Sequence, residues 1–386
     1  MKKVLLSLCG LVLSVCAVYA GDLDFVFNEK FYFDDNIYLT DKNKESSLIS
    51  TTRLGVDFKS NIPQTALDFN VGALLGYNYY FTDPSVNSFF DALVNAAVKN
   101  DNLNVENIFR YTEDPADSSI TERIARISNF TKVYFQTARY NLLSFGIGAI
   151  NNYDDYLDDK YEALSRNRIS LIADVYYEIF SRADIYLDYT ASYTQYASNE
   201  ENDSFGNSVG VGIKGDLTPR IKANVKLSFD NRNYSKNRII SQGDANNHFG
   251  IFGYEASLKW EPINSASFVL SGHRKAEETQ YYLDRYYIST LASLYAKQTI
   301  YDVISGSLLF SYEELSYSQN SYSSSYGAKR TDNILKIRPA VEIETGDGAS
   351  VVVWYSYADK TSDKSYNGES FEYADNVIGA DFKIKF

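Results

Sequence analysis

The amino-acid sequence predicts an all-β protein: a transmembrane up-and-down antiparallel β-barrel of about 18 strands, with 16 as the lower count. Three observations lead there. Apolar and polar residues alternate over successive segments of about ten residues, the period of a strand with two unlike faces. The breaks between segments are alternately short and long, as barrel turns are on opposite sides of a membrane. The composition is aromatic-rich, with 34 Tyr and 23 Phe, yet mean hydropathy is only −0.31. That is too polar for many helical spans, and it suits a wall that meets lipid on one face.

The N-terminus has the layout of a secretory leader. Lys2 and Lys3 precede an apolar stretch from Val4 to Val18, and Val18-Tyr19-Ala20 offers a cleavage site before Gly21. A lipoprotein reading of Leu13-Ser14-Val15-Cys16 competes, but Val15 is too bulky for the position before a modified cysteine. The expected organisation is therefore a signal peptide over 1–20 and a single barrel domain over 21–386. Cleavage removes Cys9 and Cys16, so the mature chain has no disulfide and no thiolate metal site. It leaves 35 basic against 50 acidic groups, which excludes a generic nucleic-acid binder.

The strands follow from the alternation. In Ile221 to Asp230, Ile221, Ala223, Val225, Leu227 and Phe229 share one face, while Lys222, Asn224, Lys226 and Ser228 share the other. Val209 to Leu217, Leu67 to Tyr79 and Leu335 to Ile343 read the same way. Pro339 is a flaw in the last of these, since proline cannot donate to a ladder. Short breaks are expected at Ser60–Gln64, Lys99–Asn102, Tyr140-Asn141, Ser181-Arg182, Asp216–Arg220, Glu261–Ala266, around Lys297, and at Glu344–Ala349. Long breaks fall between them, including Asn151–Asn167, and Phe31–Leu39 is left as the first strand. An even count with all short turns on one side puts both termini in the periplasm.

The last segment alternates Ile378, Ala380, Phe382, Ile384 and Phe386 against Val377, Gly379, Asp381, Lys383 and Lys385. Gly379, Phe382, Ile384 and the final Phe386 resemble the terminal signal read by the barrel-assembly machinery, from which Val377 departs. At the other end, Phe33-Asp34-Asp35-Asn36-Ile37-Tyr38-Leu39-Thr40 leads into the first loop. Together with Leu48 to Val56, this motif resembles the beta-barrel porin 2 group of outer-membrane proteins. The resemblance implies a pore or export conduit rather than a reaction, and a periplasmic exopolysaccharide-export apparatus as a partner.

Candidates for chemistry are few. His248 and His273 are the only histidines, and neither sits in a motif for a hydrolase, so no enzyme and no cofactor are expected. Asp154, Asp155, Asp158 and Asp159 crowd one expected outer loop, and Glu200, Glu201 and Asp203 another. Their spacing matches no calcium loop, so they read as hydrated surface, as do Asp34 and Asp35. The polar face is where function should lie. Alternation sends Arg53, Asp57, Lys59, Asp68, Asp184, Asp188, Lys214, Lys222, Lys226, Glu255, Lys259, Lys336, Arg338, Glu342, Asp381, Lys383 and Lys385 to the lumen. Cross-strand ion pairs bracing the wall compete with solute recognition for these residues. Lys59, Lys214, Lys222, Lys259, Lys383 and Lys385 lie near short-turn ends and form a basic fringe, interleaved with Asp216 and Asp381.

The expected function is a porin or channel for passive or partner-gated passage of polar solutes or polysaccharide, in outer-membrane lipid. The rivals are a barrel that displays loops for adhesion and a soluble exported all-β binding protein.

Overall fold

The computed structural model describes residues 21–62, 66–114, 123–198, 200–235, 238–240, 243–245, 248–279, 285–317, 330–346, 348–363, 365–366 and 369–386. The expected leader, with both cysteines, lies outside the described residues. The spanning strands are β1 (Asp22–Asp34), β2 (Ser47–Ile62), β3 (Leu67–Tyr80), β4 (Phe89–Lys99), β5 (Leu103–Thr112) and β6 (Arg126–Gln136). They continue with β7 (Leu143–Tyr156), β8 (Arg166–Phe180), β9 (Ala183–Tyr196), β10 (Ser204–Thr218), β11 (Ile221–Tyr234) and β12 (His248–Ile263). The series ends with β13 (Ala266–Glu278), β14 (Tyr286–Tyr301), β15 (Ile304–Tyr317), β16 (Thr331–Gly346), β17 (Ala349–Ser362) and β18 (Tyr373–Lys385). Every strand pairs antiparallel with its neighbours in sequence. β18 also pairs with β1, which closes one 18-stranded sheet. Closure leaves no edge, the condition for a sheet to stand in lipid.

Alternation fixes the two faces. Leu227 is 61% exposed and its cross-strand partners Val211 and Tyr254 lie on the same outer face, as do Ile147 at 66% and Phe252 at 76%. A continuous apolar band of this kind would aggregate in water, so it is the lipid-facing wall of an outer-membrane barrel. Rings such as Tyr77–Phe90, Tyr79–Phe81 and Phe229–Phe252 pack together toward the long-loop end of that band. They form part of an aromatic girdle.

The structure moves three sequence-derived boundaries. The first strand runs from Asp22 to Asp34 rather than Phe31 to Leu39, because Phe25, Phe27, Phe31 and Phe33 already alternate outward and Leu39 takes a positive φ of 53° in the loop. No turn occurs at Lys297. β14 passes through it, Lys297 ion-pairs with Glu342 at 2.8 Å, and the chain reverses between Tyr301 and Ile304. The Asn151–Asn167 break is shorter than read, since β7 extends to Tyr156. Asp154 and Asp155 are therefore strand residues, and Asp154 accepts a hydrogen bond from Ser128 at 2.8 Å.

Pro339 is accommodated by orientation. Its strand keeps register with Leu308 on β15, while the β16–β17 ladder has no partners for Arg338 and Pro339 between Ile337↔Tyr357 and Ala340↔Trp354. The missing donor thus falls on one side only.

The motif after β1 stitches the seam. Asn36 is fully buried, donates to the carbonyls of Thr40 at 2.8 Å and Ala374 at 3.0 Å, and accepts from the Thr40 amide at 3.0 Å. Asp35 accepts from the Asn376 amide at 2.7 Å and from its side chain at 2.8 Å. The first loop is thereby tied to the start of the last strand. At the short-turn end, the Phe25 and Phe386 backbones exchange hydrogen bonds of 3.2 and 3.0 Å. Gly379 leaves room for two rings: a Cβ there would lie 2.7 Å from Tyr32 Cβ and 2.8 Å from Trp354.

Candidate functional site: the barrel lumen

The inner face carries the polar half of every strand, and strand pairing places all the expected lumen residues on it. Barrels of 16–18 strands are too wide for side chains to fill and leave an aqueous interior. Within it, charges are organised into paired groups.

One wall is built by β1–β4 and β16–β18. Lys30 lies 4.5 Å from the Tyr32 ring centroid and 4.7 Å from that of Trp354, and Arg338 covers Trp354 at 4.6 Å. The indole donates to Asp381 at 3.0 Å. Cation–π contact and hydrogen bonding thus fix one aromatic among two cations and one acid. Arg53 forks onto Asp91 through Nε at 3.1 Å and Nη2 at 2.5 Å. Beside this pair, Arg110, Tyr111 and Asp114 help line a concavity of about 220 Å³.

The facing wall, β6–β12, is richer in tyrosine. Tyr134 and Tyr176 both donate to Asp174 Oδ2, at 2.8 and 3.0 Å, and Lys214 stands 3.8 Å from the Tyr176 ring. Lys226 pairs with Asp188 at 2.9 Å. Arg139, in the β6–β7 turn, bridges Glu178 and Asp184, the latter at 2.8 Å.

Each candidate therefore has a place. Lys59 reaches Asp57 at 3.2 Å, Lys385 reaches Asp57 at 3.5 Å, Lys222 reaches Asp216 at 3.6 Å, and Lys259 reaches Glu261 at 2.7 Å. Lys222 and Lys259 also stand directly opposite each other, as does Lys383 with Asn28. Asp68 accepts from Asn61. Lys336 faces inward between Ser311 and Ala358. The basic fringe at the short-turn end is thus laced with carboxylates, and its field is largely cancelled at contact range.

The stronger basic feature lies elsewhere and escaped the sequence analysis. At the long-loop end the inner side holds Arg123, Arg126, Arg166, Arg168, Arg232, Arg285 and Arg330. Arg232 pairs with Glu278, which also accepts from Tyr196 at 3.0 Å. Arg166 donates to the Thr279 carbonyl at 3.3 Å and lies 3.6 Å from Asp154. Arg123 covers the Tyr80 ring at 4.2 Å and reaches Asp114 at 3.5 Å. Arg285 covers Tyr234 at 4.6 Å, in a stack whose Phe249 and Tyr286 centroids are 3.9 Å apart. Arg330 and Lys360 share Asp332, at 2.5 and 2.9 Å. The available signal was positional: each arginine sits at an inward position near the loop end of its strand or just outside it.

His273 points into the lumen with Nε2 2.9 Å from Ser289 Oγ, and that hydroxyl donates to Glu313 at 2.5 Å. The carboxylate is spent on the serine rather than on orienting the histidine, so this is not the arrangement of a triad. His248 lies on the outer face against Asn233 at 2.7 Å. Asp34, Asp35 and Asp375 each bring a carboxylate oxygen within 4.8 Å of the others at the seam, a grouping that needs the barrel closed to exist.

Solved structures similar to this chain are outer-membrane porins. Acinetobacter baumannii OccAB3 matches with a TM-score of 0.51 at 9% identity, covering 95% of this chain and 99% of that one. A BenF-like porin from Pseudomonas fluorescens Pf-5 gives 0.52 at 10%, with coverages of 95% and 99%. Pseudomonas aeruginosa OccK2 (OpdF) in complex with glucuronate gives 0.51 at 8%, with coverages of 95% and 98%. At such identities the likeness establishes the fold, an 18-stranded porin barrel. No family model and no curated protein matches the chain. The beta-barrel porin 2 resemblance thus rests on the first-hairpin motif, which here serves to stitch the seam.

Proposed function

We propose that the protein is a passive outer-membrane channel for small polar solutes, with a preference for anions. Its short turns and both termini lie in the periplasm, and its long loops face outward. The observation that carries the reading is the gathering of inward arginines at the long-loop end, where they pair with Asp114, Asp154, Glu278 and Asp332. A guanidinium offers planar paired donors that fit a carboxylate, and a cationic mouth raises the local anion concentration. Glucuronate, seen with OccK2, is a solute of this type.

The test is a planar bilayer with a salt gradient. The purified protein should conduct without partners, with a zero-current potential of the sign for anion preference, and the preference should weaken as salt shortens the Debye length. Absence of conductance would refute the channel. Cation preference at low salt would refute the anion reading alone.

A further inference from the structure

The lipid-facing wall is not uniformly apolar. On β5–β8, side chains that alternation turns outward include Asn107, Asn129, Thr131, Asn151 and Asn167. Asn107 Nδ2 donates to Thr131 Oγ1 at 2.8 Å and Asn129 Oδ1 at 3.2 Å, and Asn151 Nδ2 donates to Asn167 Oδ1 at 2.6 Å. On β1–β2, Glu29 also faces outward and accepts from Ser50 at 2.7 Å and Thr52 at 2.6 Å.

Depth follows from the ladder. One unbroken row of paired residues runs Leu23, Phe58, Val71, Ala96, Asn107, Thr131, Asn151, Ile169, Tyr193, Phe205, Asn233. It starts at the short-turn end of β1 and finishes at the long-loop end of β11, and Thr131 lies midway. Apolar residues bracket the patch along the strands as well: Val105 and Phe109 flank Asn107, and Ala149 and Tyr153 flank Asn151. Asn107 and Thr131 thus lie well inside the apolar band, while Asn167, the second residue of β8, lies toward its long-loop edge.

The internal hydrogen bonds use the donors of Asn107 and Asn151 and the acceptors of Asn129 and Asn167. Among the described residues, Asn129 Nδ2 and Asn151 Oδ1 have no partner within the chain. A polar group left unpaired in hydrocarbon is costly, and lateral contacts in membranes are built from such amides and hydroxyls beside small residues. Between the two polar patches the wall carries Ala73, Ala92 and Ala96, which lets another wall approach closely. Because the patch presents both donors and acceptors, it is complementary to itself, as an interface between identical chains requires.

We propose that the outer wall of β1–β8, centred on Asn107, Asn129, Thr131 and Asn151, is the contact by which this chain associates with a second copy of itself in the membrane. The amides left open in one barrel are then satisfied by those of its neighbour.

The mature chain is expected to be free of cysteine, so single-cysteine cross-linking in intact membranes decides the matter. Thr131→Cys should form chain-to-chain adducts with a short bis-maleimide at least tenfold faster than Leu227→Cys on another sector of the wall. The Asn107→Leu/Asn129→Leu/Asn151→Leu variant is compatible with lipid, so its barrel should keep heat-modifiable migration. In mild detergent its mass should fall to that of a single chain, while the parent protein remains a multiple. Equal cross-linking at Thr131→Cys and Leu227→Cys, or none at either, would overturn the proposal. So would a single-chain parent carrying lipopolysaccharide that the triple variant loses, since the occupant of the patch would then be lipid.

Discussion

Placing a lysine on the outer face of β11 has a cost that depends on depth, and the structure says where that cost peaks. At ~3.3 Å per residue and a tilt of ~40°, each residue climbs about 2.5 Å, so an apolar band ~25 Å tall spans about ten residues. β11 begins at Ile221 beside the short turn, and its ring pair with Phe252 is at Phe229, toward the long-loop end. Val225 lies between them, pairs with Ile213 and Ala256, and is 42% exposed on the lipid face. Val225→Lys should therefore cost about 2–4 kcal/mol, and Ile221→Lys at the interface about 0–1 kcal/mol. At about 1.4 kcal/mol per tenfold, the first shifts the folding equilibrium by roughly 30- to 700-fold. Reversible urea titration of the barrel in lipid vesicles measures both. Equal penalties at the two sites would refute the depth assignment, and a negligible penalty at Val225 would refute a lipid-facing wall.

Other expected outcomes follow from the same geometry. Replacing Arg166 and Arg168 by Gln should move the zero-current potential of a low-salt bilayer toward cation preference. Reversing Lys222, Lys259 and Lys383 to Glu should move it less, because two of those lysines already sit against carboxylates at 3.6 and 2.7 Å; a larger shift from the lysines would invert the assignment of the selective end. Gly379→Val should reduce the fraction showing folded, heat-modifiable migration, since its side chain would collide with Tyr32 and Trp354, while Ala380→Val on the outer face should not. Lys226→Leu leaves Asp188, whose side chain is 7% exposed, without its ion pair, and should destabilise the barrel by about 1–3 kcal/mol in the same urea titration. Deleting Phe386 removes both hydrogen bonds to Phe25 and should slow assembly, read as a smaller folded fraction in the membrane; unchanged abundance would deny the terminal residue that role.

The barrel was legible in the sequence because a strand's two faces are written in alternate residues, and a membrane barrel makes the two faces chemically opposite. Ile221 to Asp230 could be assigned face by face for this reason. Turn positions were less secure wherever the alternation runs through a polar residue. Lys297 looked like a break because a lysine in an apolar stretch resembles a loop. Its inward orientation and its pairing with Glu342, forty-five positions later in the chain, exist only once β14–β16 are assembled. Asp154 sits in an acidic run that resembles a loop, yet it is an inward strand residue that accepts a hydrogen bond from Ser128.

The site was harder to see than the wall, for a reason that is geometric rather than statistical. Sign and position of a charge are local facts, but its net field depends on which opposite charges share its height on other strands. Lys59 and Lys385 looked like two parts of a basic rim, yet the register of β1, β2 and β18 brings both to Asp57. Arg123, Arg166 and Arg232 lie in separate parts of the sequence and carried no motif, yet closure gathers them at one end of the lumen. Their acidic partners are shared with neutral donors, as Glu278 is between Arg232 and Tyr196. A lumen set judged from alternation alone is mixed in sign and predicts weak selectivity. Sorted by height, that set is a short-turn rim whose lysines meet carboxylates, and the arginines on which the proposed anion preference rests lie outside it, at the long-loop end.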